Sequence, residues 1–332
     1  MNLHASVLRF LWIALVVQTG LPAAASLAAA ANGTVPLAVE PVSLNPENKA
    51  QVRAGALLYR GGVAIRSPHR RFGGFSGLAV SRDGTRLTAI SDRGAWFRAR
   101  IRYDGAGRLA GLAGGRMGRL SGPDGKALGG LDADAEALTF LPDGSALVAF
   151  ERRHRILRYP AGADSLSGRP QPWRAPAGLA AAPFNGGAET LAHIGGGDLL
   201  LLTERLTRGS GAFAGWIARR GRWQPVIYTR TGSFRPTDAT ALPNGDIAVL
   251  ERRHTLASGL SARIVLLPRG SVAPGRIVRG RELLRLTPSM TVDNFEGISA
   301  RRGRNGKTVL YILSDDNFNP LQRTLLLMFE ME

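Results

Sequence analysis

Carboxylates recur in register along this chain, five times over. The first copy reads Phe75-Ser76-Gly77-Leu78, then Ile90-Ser91-Asp92-Arg93. The second reads Ala135-Glu136-Ala137-Leu138, then Phe150-Glu151-Arg152. The third has Ala188-Glu189-Thr190-Leu191 and Thr203-Glu204-Arg205, the fourth Thr237-Asp238-Ala239 and Leu250-Glu251-Arg252. The fifth has Phe295-Glu296-Gly297-Ile298 and Ser314-Asp315-Asp316. Converging carboxylates can do three things. They can hold a hard cation, Ca²⁺ first, because it takes oxygen ligands. They can pair with the arginines that follow them in a structural charge network. They can act as acid and base, since like charges raise one another's pKa. The residue types leave all three open.

Each copy is a short apolar strand, a tight turn and a second apolar strand ending in an acid. Asp83-Gly84, Asp143-Gly144 and Asn244-Gly245 supply the φ > 0 residues that hairpin turns need. Repeats of roughly 40–55 residues built from short strands predict an all-β fold, a β-propeller. Four strand candidates follow each of the first four markers, but only three follow Glu296. The missing strand is expected from Ala56–Tyr59, so the ring of five four-stranded blades would be closed by strands from both termini. Six blades is the alternative. In a propeller the inner strands begin, and the second strands end, on one face. Ser76, Glu136, Glu189, Asp238 and Glu296 should therefore meet Asp92, Glu151, Glu204, Glu251, and Asp315 or Asp316 there.

Residues 1–31 read as a signal peptide: Arg9, an apolar run from Phe10 to Val17, and small residues at Ala28 and Ala30 before a cleavage point. Residues 32–54 are polar and irregular and read as a linker to a domain over 55–332. The expected location is periplasmic or secreted, with no stable membrane span once the signal is removed. The absence of cysteine excludes disulfides and thiolate chemistry. No G-x-S-x-G stands in a strand-turn-helix setting, so a nucleophile elbow is excluded. The net charge is +18, and only Lys49, Lys126 and Lys307 among the 43 basic residues are lysine. This excess suits an anionic partner. The arginines are scattered through the repeats, so no specific nucleic-acid binding is expected.

The segments Phe75-Ser76-Gly77-Leu78, Asp134-Ala135-Glu136-Ala137-Leu138, Pro236-Thr237-Asp238, Asn294-Phe295-Glu296-Gly297-Ile298 and Ser314-Asp315-Asp316-Asn317 resemble the bacterial phytase-like family, also described by its esterase-like activity. The resemblance covers roughly residues 55–330. It implies a propeller, export, and a phosphoesterase or esterase. Calcium phytases of propeller form bind phosphate in an acidic cleft, whereas here arginines stand beside the acids.

The expected function is thus a metal-dependent hydrolase of phosphate or carboxylic esters acting on a small anionic or ester substrate. Glu136, Glu189, Asp238 and Glu296 are the expected metal ligands, with Ca²⁺ the expected cofactor. Glu136 and Glu296 are the expected catalytic residues, and Arg152, Arg205 and Arg252 the expected substrate-binding residues. Two alternatives use the same face. One is a non-catalytic propeller that binds an anionic envelope ligand or a protein partner. The other is a lactonase-type propeller with a single Ca²⁺.

Overall fold

The computed structural model describes residues 33–332 apart from 163, 164, 210, 256 and 258. The signal segment read at residues 1–31 lies outside the described residues. Among those described, no helix is long and apolar enough to cross a membrane.

Five antiparallel sheets form the blades. Their inner strands are Phe75–Val80, Ala135–Phe140, Ala188–His193, Arg235–Ala241 and Asn294–Arg302, in blades 1 to 5. Each inner strand packs against the next, and the last packs against the first, so the ring is closed. In blade 5 the strands Thr308–Asp315 and Thr324–Met331 are followed by Leu57–Arg66 from the other end of the chain. That closure is the one expected from the missing strand, although the closing strand runs well past Tyr59. The turn glycines Gly84, Gly144 and Gly245 have φ of 74°, 83° and 89°.

Residues 33–54 differ from the linker expectation. Ala38–Pro41 adds a further strand beside Leu57–Arg66, and Arg53–Ala54 pairs with the start of that same strand. Val35 donates to the Gly115 carbonyl, and Leu44 is fully buried. The segment covers the edge that the closing strand would otherwise leave with unpaired backbone groups. Ile277–Val278 does the same for blade 3, pairing in parallel with its outer strand Arg222–Thr229.

The core is five apolar clusters, one at each blade-to-blade interface. Side chains alternate faces along a strand, so each second strand feeds two clusters. Ala146, Val148 and Phe150 pack toward blade 1, while Leu147 and Ala149 pack toward blade 3. Ile247 and Val249 face blade 3, and Ala248 and Leu250 face blade 5. Burying one such leucine contributes about 1.5–3 kcal/mol. This alternation fixes which residues past the ends of the second strands turn toward the channel and which toward a neighbouring blade.

Candidate functional site

All five inner strands carry a β-bulge near their start. The unpaired residues are Ser76, Glu136, Glu189, Thr237 and Glu296. A bulge leaves one residue out of the ladder and re-aims its side chain. Three of the five are glutamates at the same mouth of the channel. One position past each ladder partner, the second strands supply Asp92, Glu151, Glu204, Arg252 and Asp315. The mouth therefore holds seven carboxylates from these two rings, together with Asp134 and one half-buried arginine, Arg252.

Blade 4 departs from the expected register. Pro236 pairs with Glu251 and Asp238 with Leu250, so Thr237 is the bulged residue. The equivalents of Glu251 are Phe150 and Thr203, which face the preceding blade. Glu251 accordingly lies buried between blades 3 and 4. It is held by the Arg263 guanidinium, and the Tyr228 hydroxyl donates to it at 2.8 Å. Arg252 takes the ring position. Its Nη2 lies 3.0 Å from Glu296 Oε1 and 3.5 Å from Glu204 Oε1. Asp238 is fully enclosed, accepting the Ala239 and Ile298 N–H groups at 2.8 Å each. It ties the inner strands of blades 4 and 5 together and is spoken for by backbone donors.

On the blade 2 side the carboxylates are gathered more closely. One oxygen from each of Asp134, Glu136 and Glu151 can be chosen so that all three lie within 4.8 Å of one another. Asp134 and Glu151 are buried, and Glu136 is partly open to the channel. Glu151 Oε1 also accepts the N–H of Gly186 at 2.6 Å and that of Gly187. A Cβ on Gly187 would come within 2.5 Å of the His154 ring and 3.5 Å of Glu151, so only glycine lets the backbone approach here. Blade 5 repeats the device, with Asp316 Oδ1 accepting the Gly74 N–H at 3.1 Å.

Burial raises most of these carboxyls. Burial first, then Asp134 and Glu151, push Glu136 well above the usual range. Burial, then Glu136 and Glu151, do the same to Glu189. Asp134 is raised by burial against the pull of Arg152, 2.7 Å away. Asp92 is raised to about 6 by burial. Glu296 is raised to about 7 by burial, with Arg252 holding it down. Asp315 is raised to about 8 by burial, opposed by the Asn317 N–H. Like-charged groups brought together without enough cation hold protons or need a cation.

The expected residues are thus distributed. Glu136 joins Asp134 and Glu151, Glu189 adjoins Glu136 and Glu151, and Glu296 belongs with Arg252. Arg152 pairs with Asp134, and Arg205 pairs with Glu204 at 2.9 Å, both at the exposed rim. Asp134 and Glu151 were not among the expected ligands. A signal for Asp134 is present in the sequence: it stands two residues before Glu136, as Asn294 stands before Glu296, and Asn294 hydrogen-bonds Glu296. The Gly-Gly pairs before the inner strands of blades 1 and 3 are a second signal.

The family described as phytase-like, with the esterase-like activity of phytase, matches residues 70–318. The chain belongs to this family. The matched span contains every carboxylate and arginine of the mouth. Among solved structures, this phytase-like chain is similar to an aldose sugar dehydrogenase from Escherichia coli, at 10% identity over 88% of this chain and 99% of that one, TM-score 0.42. It is similar to a virginiamycin B lyase from Staphylococcus aureus, at 10% identity over 90% and 100%, TM-score 0.41. It is also similar to a gluconolactonase from Xanthomonas campestris, at 14% identity over 82% and 79%, TM-score 0.40. Comparison with curated proteins finds no significant match.

Proposed function

We propose that this chain is an exported hydrolase of phosphate or carboxylic esters whose site is the carboxylate mouth. The Asp134–Glu136–Glu151 cluster carries the reading. Oxygens bound to one cation at 2.3–2.6 Å sit no more than about 5 Å apart, and the cluster's 4.8 Å meets that condition. The donors are all carboxylate oxygens, which suits a hard divalent ion such as Ca²⁺. The raised pKa values of Asp134 and Glu136 mark charge that a bound cation would offset. Asp134, Glu136 and Glu151 would hold the ion, with Glu189 beside them.

A cation bound there would polarise an ester oxygen and lower the pKa of its water. The chain supplies the rest. Glu296, at about 7, can take or return a proton near neutral pH. Arg252 keeps it from rising further and fixes its orientation. Arg152 and Arg205 stand at the rim, where guanidinium groups can hold the anionic part of a small substrate. The signal-like segment at residues 1–31 supports export to the periplasm or beyond, and the family description supports ester chemistry.

A binding propeller without catalysis is the second reading. Arg252 favours it, because it already neutralises Glu204 and Glu296 without a ligand. Metal analysis of the purified chain, followed by hydrolysis assays on aryl phosphates, aryl esters and lactones with and without Ca²⁺, separates the two. The hydrolase reading expects stoichiometric metal, and activity lost in Glu136→Gln and Glu296→Gln variants that keep their fold. Full activity in the folded double variant would remove this mechanism.

A further inference from the structure

The inner strands run from the carboxylate mouth to a second opening at the far end of the channel. At ~3.3 Å per residue the two are roughly 15 Å apart. A cavity of about 480 Å³ lies there. Its chemistry is the reverse of the first mouth. It is lined by Arg82, Arg301, Arg302 and His193, by hydroxyls from Thr139, Thr240 and Ser299, and by no aspartate or glutamate.

These groups are donors with little to donate to. The hydroxyl oxygens of Thr139, Thr240 and Ser299 accept the N–H of His193, Ala300 and Val80, at 3.1, 3.3 and 2.9 Å. Each O–H proton therefore stays available, and none has a protein acceptor among the described residues. His193 Nε2 is enclosed and has no hydrogen-bond partner. Arg82 is near enough that its charge, after burial, lowers the His193 pKa. Arg301 is held by the Tyr311 hydroxyl at 2.7 Å and by Tyr103, so it is a fixed charge. Arg82 and Arg302 form no ion pair with a carboxylate among the described residues.

We propose that this second mouth is a binding site for a small oxyanion, either a phosphate group or a compact polycarboxylate. Arg82 and Arg302 would supply the charge. Thr139, Thr240, Ser299 and His193 would supply donors around the pore, in a cavity large enough for such a group and the small molecule carrying it. Oxyanions are the ligands that accept from guanidinium and hydroxyl donors at once. The site is separate from the carboxylate mouth and stands whether or not that mouth is catalytic.

Calorimetric titration of the full chain with inorganic phosphate, and separately with citrate, at low ionic strength tests it. A dissociation constant of about 1 mM or tighter is expected for at least one of the two. The preferred anion tells a phosphoryl source from a carboxylate source. Arg82→Gln and Arg302→Gln should each weaken binding roughly tenfold, as loss of a charge-assisted hydrogen bond does. Thr240→Val should weaken it by less and leave its salt dependence unchanged. Glu136→Gln, at the opposite mouth, should leave it unaltered. Absence of binding by both anions would overturn the proposal. So would binding that survives the Arg82→Gln/Arg302→Gln double variant, or binding that disappears in Glu136→Gln.

Discussion

Blades 2 and 4 carry the same four residues, Glu-Arg-Arg-His, at the end of their second strands. In blade 2 the glutamate, Glu151, points to the channel beside Asp134 and Glu136, and Arg152 turns outward to the rim with φ of 52°. In blade 4 the strand stays in register with the third strand, Gly259–Leu267, through Thr255, and the assignment moves by one residue. Glu251 is buried between blades and Arg252 enters the ring. The same residues thus add negative charge at one side of the mouth and remove it at the other. Strand register sets the electrostatics here, and one residue of slip exchanges the faces.

The largest effect should come from breaking the blade 4 arrangement at its buried end. Arg263→Met leaves Glu251 enclosed with only Tyr228, and loss of one partner of a buried pair costs about 3–5 kcal/mol. Denaturant unfolding would measure it. Adding Glu251→Leu should recover much of the loss, and failure to do so would mean that the pair is not what holds that interface.

A smaller effect is expected at the ring. Arg252→Gln removes the cation between Glu204 and Glu296, and should lower stability by about 2 kcal/mol in the absence of metal. Ca²⁺ should restore more of this loss than it adds to the wild type. If Ca²⁺ raises the melting temperature of both by the same amount, the two sides of the mouth are not electrostatically linked.

The smallest effect concerns pH. Asp315 has no arginine partner among the described residues, and its carboxyl is raised to about 8. The unfolded chain releases that proton near ~3.9. The folded state therefore holds more protons between those values, and its advantage is full below about pH 4 and lost as pH rises through about 8. Without metal the chain should melt at a lower temperature at pH 8 than at pH 5. Asp315→Asn keeps an acceptor for the Asn317 N–H and should flatten the difference. An unchanged pH profile in that variant would place the proton elsewhere.

The blade count and the closure were legible because alternating apolar residues and Gly-containing turns are local signals. So were Glu136, Glu189 and Glu296, each set one residue after the first strand partner. Asp238 and Glu251 misled for a physical reason. Aligning acid with acid puts them in the ring, but a bulge is a property of the pairing, and Thr237 rather than Asp238 is the residue left unpaired. Asp134 escaped because its position depends on the chain entering the strand, where no periodicity operates. Residues 33–54 escaped because a four-residue edge strand, Ala38–Pro41, has too few residues to show a pattern.

The shared fifth blade has a temporal consequence. Glu296 and Asp315 belong to a sheet whose outer strands are Thr324–Met331 and Leu57–Arg66, contributed by the last and almost the first residues of the domain. The acidic mouth cannot be completed before Thr324–Met331 has been made, because this strand must dock on one made early. Such long-range pairing folds slowly. Until it forms, the two unpaired edges keep the ring open, and the repulsion among its carboxylates is not yet concentrated in one place. A ring that concentrates its charge only when this blade closes acquires its site late in folding.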